Sequence, residues 1–261
     1  MKIRNTHILV TGANRGIGLA LANAFAKRGA HVHAQVRTAN RQLALELKSS
    51  GAASVKIWVA DLGDKACVEK FLAELKNEKI DILVNNAGQL TGGLLEEQPI
   101  QEIYSMFQVN LLALVQLTQG LLPGMLSRGK GKIVNNASVS AVMHFPCAST
   151  YAASKAAVLA FSNCLQAELA GSGVDTLCLL TPGIETRMFR EIEVKYGKNL
   201  DVPKDSIQPD AYAELVCAAI EKDLPILKPS GSTGIALQVA QHLPGLFRRA
   251  AGKGFRRETK A

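Results

Sequence analysis

The chain has 261 residues, 48% hydrophobic and 20% charged, which suits one α/β domain with a sizeable core and does not require a second. Its net charge of +8 raises nucleic-acid binding, but six basic residues (Arg248, Arg249, Lys253, Arg256, Arg257 and Lys260) crowd into positions 247–261 against Glu258 alone. With the excess in a tail and no aromatic stacking module, no nucleic-acid partner is expected.

The five cysteines, Cys67, Cys147, Cys164, Cys178 and Cys217, are scattered and never form Cys-x-x-Cys, so reduced thiols are expected and no metal site. No apolar run is expected to reach the ~20 residues of a membrane span. Met1 to Thr6 lead straight into a strand, leaving no room for a signal peptide. A cytoplasmic location follows as an expectation. No repeat or low-complexity linker is visible.

In chain order, His7 to Thr11 reads as a short buried strand, followed by Gly12-Ala-Asn14-Arg15-Gly16-Ile17-Gly18 and an alanine-rich helix to Arg28. Strand, glycine turn and helix form the context of a dinucleotide-binding loop: glycines admit a pyrophosphate close to the backbone, and the helix start offers free N–H groups. The second strand, His31 to Val36, ends without the acid that would hold ribose hydroxyls. Arg37 at its end and Arg15 in the loop suit a 2′-phosphate instead, which points to NADP. The third strand, Ser54 to Val59, leads to Asp61 and Leu62, with Asp61 available to the adenine amino group. Asp64 is the better cap for the helix that begins at Lys65.

A fourth strand, Asp81 to Val84, runs into Asn85-Asn86-Ala87-Gly88, small and polar where a ligand crevice lies in such sheets. Asn110 falls inside a long apolar helix and, if buried, must satisfy backbone groups or hold a water. The fifth strand, Lys132 to Ala137, ends at Ser138. Thirteen residues later Tyr151-Ala-Ala-Ser-Lys155 places a phenol and an amine one helical turn apart on one face. An ammonium beside a phenol favours the phenolate, so the three side chains make a proton-transfer site. The sixth strand, Val174 to Leu180, ends in Thr181-Pro182-Gly183. Alternating strands and helices predict a parallel sheet covered on both faces.

Laid out in this order, the motifs resemble those of the short-chain dehydrogenase/reductase family over roughly residues 5–230. They are Thr11-Gly-Ala-Asn-Arg-Gly-Ile-Gly18, Asp61, Asn85-Asn-Ala-Gly88, Asn110, Ser138, Tyr151-x-x-x-Lys155 and Pro182-Gly183. The resemblance implies a Rossmann-type doubly wound sheet of about seven strands and hydride transfer between NAD(P)(H) and a carbonyl or alcohol. It further implies Tyr151 as acid/base, Ser138 on the substrate oxygen, Lys155 lowering the tyrosine pKa and holding the nicotinamide ribose, and Asn110 supporting a proton-relay water. The cofactor contacts it implies are Gly12, Asn14, Arg15, Gly16, Ile17, Gly18, Arg37, Asp61, Leu62, Asn86, Ala87, Gly88, Tyr151, Lys155, Pro182, Gly183, Ile184 and Thr186. Thr186 stands four residues after Pro182, one fewer than the family's usual spacing. After Lys228 the chain also departs, running into Gly231-Ser-Thr-Gly234 and a new helix.

The expected function is an NADP(H)-dependent carbonyl reductase; the alternative is a catalytically silent NADP(H)-binding regulator. Leu90, Val139, His144, Phe145, Ile184, Met188 and Phe189 are candidate pocket residues of apolar character, with Glu185–Pro203 as a mobile lid. The helix Tyr151–Ala170 is apolar nearly all round, which predicts a partner subunit and hence a homodimer or homotetramer. Residues 1–233 read as the catalytic domain and 234–261 as an amphipathic basic helical extension. In that extension Ile235, Val239, Leu243, Leu246 and Phe247 form a stripe broken by Pro244-Gly245. It either packs on the body or contacts an anionic membrane.

Overall fold

The computed structural model describes residues 1–196, 199 and 206–257, with the backbone alone for Phe189, Ile192, Glu193, Lys195 and Tyr196. The side chain of Phe189, much of the segment expected as a lid (197–198 and 200–203) and Lys260 therefore lie outside the described residues.

Seven strands form one parallel sheet: β1 (His7–Val10), β2 (His31–Val36), β3 (Ser54–Val59), β4 (Ile82–Asn85), β5 (Gly131–Asn136), β6 (Val174–Leu179) and β7 (Ile226–Leu227). Their order, β3-β2-β1-β4-β5-β6-β7, is that of the doubly wound α/β fold. The chain reverses its direction of travel between β1 and β4, so the connections part there and leave a crevice at the carboxyl ends of the strands.

One face of the sheet carries α1 (Gly16–Lys27), α2 (Arg41–Ser49) and α8 (Pro209–Glu221); Ala22, Phe25, Leu43, Leu47, Val216 and Ile220 pack with Ile8, Val10, Val32 and Val84. The other face carries α3 (Lys65–Leu75), α5 (Ala113–Ser127) and α6 (Ser149–Glu168), with Phe71, Leu117 and Leu165 on Leu9, Leu83 and Ile133. Each fully buried Leu, Ile or Phe contributes about 1.5–3 kcal/mol. Strands enclosed this way need apolar residues on both faces, which is why Ile8 to Val10 in β1 and Ile82 to Val84 in β4 are continuous apolar runs rather than alternating ones. Asp64 caps α3 as expected, its carboxylate accepting from the backbone of Ala66 at 2.7 Å and Cys67 at 3.2 Å.

Helix α4 (Ile100–Phe107) continues through a π-helical turn, Gln108–Leu112, into α5. The continuous element, Ile100–Ser127, has 28 residues and reaches a mean hydropathy of 1.4, long and apolar enough to span a membrane. That corrects the expectation that no stretch approaches such a length. The apolarity has a different cause here: Met106, Val109, Ala113, Leu114, Leu117 and Met125 are buried in the body. The wide turn falls on Asn110 and rotates its amide into the interior, a common use of π-turns at functional positions.

Beyond β6 lie α7 (Arg187–Tyr196), α8 and β7, then α9 (Gly231–His242) and α10 (Pro244–Lys253). The tail is thus two helices meeting at Leu243, which closes one and opens the next. Pro244 cannot extend α9 but fits the first turn of α10.

Candidate active site

The glycine loop is built around close approach. Gly12 and Gly16 adopt φ of +66° and +54°, where a side chain is strained. A methyl on Gly18 would stand 2.2 Å from the Gly12 carbonyl and 2.6 Å from the Asn86 amide, so a larger residue there would push the helix off the sheet. Gln35, buried in β2, stitches the loop down by accepting from Gly12 N–H at 2.9 Å and donating to the Ala60 carbonyl at 2.7 Å. Helix α1 starts at this loop with no side-chain cap and no acid in its first turn, so its N–H groups and positive dipole end face the crevice.

Asn14, Arg15 and Arg37 are exposed around that helix start. Neither arginine makes an ion pair or side-chain hydrogen bond among the described residues. Asp61 is exposed, its carboxylate accepting from Gly63 N–H at 2.8 Å, and Leu62 is buried beneath. Thr186, expected among the cofactor contacts, stands against the glycine loop: a methyl on Gly16 would lie 3.2 Å from its Cγ2. Ile17, Pro182 and Gly183 are half-buried nearby, whereas the Ile184 side chain turns into the core and its backbone bridges Ile207. The uncapped N–H donors at this helix start, with no acid in the first turn and glycines that leave room, match a dinucleotide phosphate in both charge and space.

Below the crevice, polar side chains form one row across four strands. The Tyr212 hydroxyl meets Thr181 Oγ1 at 2.8 Å, Thr181 donates to Asn136 Oδ1, Asn136 donates to Asn86 Oδ1 at 3.0 Å, and Asn86 donates to the Thr11 carbonyl at 3.0 Å. Thr11 Oγ1 in turn accepts from the backbone of Asn86 and Ala87, each at 2.9 Å. Sequence reasoning missed Asn136, Thr181, Tyr212 and Gln35. The tandem Asn135-Asn136 in an apolar strand was a usable signal, because buried amides must find partners.

Asn136 also touches the chemistry. Its backbone carbonyl accepts from Lys155 Nζ at 2.7 Å, deep in the interior. Asn110 satisfies backbone groups, accepting from Gln89 N–H at 2.8 Å and donating to the Gln89 carbonyl at 3.0 Å and Ser154 Oγ at 3.1 Å. Gly88 lies between the two: a methyl there would be 3.5 Å from Asn110 Oδ1 and 3.8 Å from Lys155 Nζ. Asn110, Ser138, Tyr151, Lys155 and Gly88 are thereby brought to one spot.

The electrostatics differ from the expectation in one respect. Burial pushes the Tyr151 phenol above its usual range, opposed by a hydrogen bond with Ser138. Lys155 does not bring it down, because its ammonium is turned to the Asn136 carbonyl and stands 5.9 Å from the phenol ring centre. Burial lowers Lys155 itself to about 8. The phenol is therefore held in its protonated form at neutral pH, with a lysine that changes charge close to working pH.

The mouth of the crevice is apolar and partly made by the tail. Leu90, Leu94, Phe145, Cys147 and Phe255 cluster together, and Phe145 meets Phe247 edge to face at 5.5 Å. Arg257 pairs with Glu96, while the backbone N–H of Arg256 donates to the Asn199 carbonyl at 2.8 Å. Residues 255–257 thus run between the loop after β4 and Asn199. Val139 is buried at the base of this region, and His144 is exposed outside it.

Comparison with known proteins agrees with this geometry. Residues 6–197 match the family model described as short chain dehydrogenase. The 3-oxoacyl-[acyl-carrier-protein] reductase FabG of Haemophilus influenzae is 33% identical over 208 residues, 75% of this chain and 81% of that one. Dehydrogenase/reductase SDR family member 7B of Bos taurus is 30% identical, covering 99% of this chain and 84% of its own. Among solved structures, a short-chain dehydrogenase from Sphingobium yanoikuyae in complex with NADPH superposes with a TM-score of 0.79 at 26% identity, covering 98% of both chains.

Proposed function

This chain belongs to the short-chain dehydrogenase/reductase family and is an oxidoreductase acting on CH–OH or C=O groups, and from that premise we propose that it reduces a carbonyl with NADPH. The observation that carries this reading is the placement of the buried Tyr151 hydroxyl, hydrogen-bonded to Ser138 and one turn from Lys155, whose Nζ stands 5.9 Å from the phenol ring centre. Reduction of a carbonyl needs a proton donor at the oxygen, and a protonated phenol held beside a serine hydroxyl can serve as that donor.

When bound, a dihydronicotinamide would supply the hydride. The glycine loop and the start of α1 would hold its pyrophosphate, Arg15 and Arg37 the 2′-phosphate, and Lys155 the nicotinamide ribose. Ser138 Oγ donates a hydrogen bond to the substrate oxygen. Tyr151 passes its proton to that oxygen as charge develops there, and Lys155 offsets the charge left on the phenolate. Asn110 fixes the Gln89 backbone beside them. The sum is one hydride and one proton added across C=O, giving an alcohol.

The NADPH seen in the Sphingobium yanoikuyae protein supports the choice of cofactor, as do two unpaired arginines where an NAD site tends to have an acid. The apolar mouth formed by Leu90, Phe145, Phe247 and Phe255 favours a hydrophobic substrate. Ala153, Ala160, Cys164 and Ala167 leave one side of α6 exposed and nearly free of charge, which favours a homo-oligomer built on that helix. The decisive test follows NADPH absorbance across a panel of carbonyl compounds. Oxidation of NADPH in preference to NADH is expected, and Arg15→Ala with Arg37→Ala should raise KM for NADPH about 10- to 100-fold with little change for NADH. A native protein that prefers NADH would overturn the cofactor assignment.

A further inference from the structure

Helices α9 and α10 have two faces with different tasks. Leu237 and Ala240 of α9 and Phe247 of α10 face the body, packing in the cluster of Val158, Val139 and Phe145. Ile235, Leu243 and Leu246, by contrast, are 69%, 56% and 57% exposed. Two of these leucines sit at the corner where the helices meet, so the corner projects apolar side chains into solvent.

Around that corner the charge has a single sign. From Leu224 to Arg257 the sequence contains no aspartate or glutamate. Arg248, Arg249 and Lys253 are exposed, and among the described residues none of them makes an ion pair. An ordinary solvated helix face mixes both signs, and a twofold contact through this face would set bases against bases. Exposed apolar side chains interleaved with unpaired cations fit a surface that is anionic and has an apolar layer beneath it.

We propose that the α9–α10 corner docks the protein on an anionic lipid surface, with Leu243, Leu246 and Ile235 entering the headgroup boundary and Arg248, Arg249 and Lys253 meeting lipid phosphates. The same two helices roof the crevice through Phe247 and continue into Phe255. Docking would therefore bring the apolar mouth of the site to the membrane. The role of the mouth rests on the reductase assignment; the docking surface does not.

Cosedimentation of the full chain with vesicles tests it, using phosphatidylcholine alone and phosphatidylcholine with a third replaced by phosphatidylglycerol. Binding to the anionic vesicles only, weakened by salt, is expected. Each base contributes roughly fivefold in affinity, so Arg248→Gln, Arg249→Gln and Lys253→Gln together should weaken binding on the order of 100-fold. Ile235→Ser, Leu243→Ser and Leu246→Ser together should also abolish sedimentation without loss of thermal stability, since these side chains are exposed.

No binding at low salt would overturn the proposal. So would leucine variants that bind as well as the native chain, the outcome for a generic polyanion contact, or leucine variants that change the molecular mass in solution, the outcome for an interface between copies. NADPH binding, measured by cofactor fluorescence on the same samples, keeps the two assignments separate: failure on vesicles with intact NADPH binding removes the docking surface alone.

Discussion

At the carboxyl ends of β1, β4, β5 and β6, Thr11, Asn86, Asn136 and Thr181 are hydrogen-bonded into one row that holds Lys155 through the Asn136 carbonyl. Toward the amino ends of β1 and β2, His7 and His31 stack at 4.3 Å, and His7 Nδ1 meets His33 Nε2 at 3.2 Å. Both regions bury polar side chains in the same sheet. The amide row does not titrate and presents a fixed acceptor to a group that does. The histidine group titrates itself, and nothing beside it performs chemistry. Buried polarity therefore positions a reacting group at one end and makes stability depend on pH at the other.

The sharpest way to separate the ends is Tyr151→Phe. Turnover should fall by roughly 10²- to 10⁴-fold, the range for a lost general acid, with NADPH affinity and melting temperature nearly unchanged. A Phe variant that kept most of its kcat would remove Tyr151 from proton transfer. Lys155→Ala should impair turnover and NADPH binding together, because one ammonium serves both.

The amino end should respond to acid alone. Trp58 Nε1–H donates to His33 Nδ1 at 3.3 Å, so the remaining His33 proton lies on Nε2 and points at His7. Burial lowers His33 to about 4, with His7, Lys56 and His31 opposing its protonation and Glu78 favouring it. Its unfolded value is near 6.5, so between these limits the unfolded chain binds the extra proton. Stability is then lost as pH falls from about 6.5 toward 4, by up to about 3 kcal/mol. His33→Gln should flatten that part of the profile in urea melts at about pH 7 and pH 5, leaving kcat at neutral pH unchanged. An unchanged slope would show that His33 does not set the acid limit.

The smallest expected effect tests whether the amide row positions or merely fills. Asn136→Ala leaves Thr181 and Asn86 short of a partner, at about 1–3 kcal/mol of stability. If the row also orients Lys155, kcat should drop roughly tenfold and the pH–rate profile should shift. A loss of stability with an unmoved profile would make Asn136 structural only.

What was legible in the sequence was what is local in it. Gly12, Gly16 and Gly18, Asn85 to Gly88 and Tyr151 to Lys155 are short motifs whose spacing fixes their geometry, and the alternation of strands and helices implied the seven-stranded sheet. The amide row was not legible: it joins Thr11, Asn86, Asn136, Thr181 and Tyr212, residues tens of positions apart that only the strand order brings together. The same holds for Lys155, whose partner is a backbone carbonyl on another element. The tail was expected to present Ile235, Val239, Leu243, Leu246 and Phe247 as one stripe broken at Pro244-Gly245. Phe247 does pack on the body, but the buried positions of α9 are Leu237 and Ala240, whereas Ile235, Leu243 and Leu246 are exposed.

Trp58 is the chain's single tryptophan, and its ring lies parallel to that of His33 at 6.2 Å. The molecule therefore carries one indole, hydrogen-bonded to the imidazole whose charge marks the acid limit. Protonating that imidazole removes the indole's acceptor, so the emission of Trp58 is an optical gauge of one proton at the amino end of the sheet. Ultraviolet fluorescence of the folded protein should hold steady as the pH falls from 7 and change only near 4, where that imidazole takes up its proton.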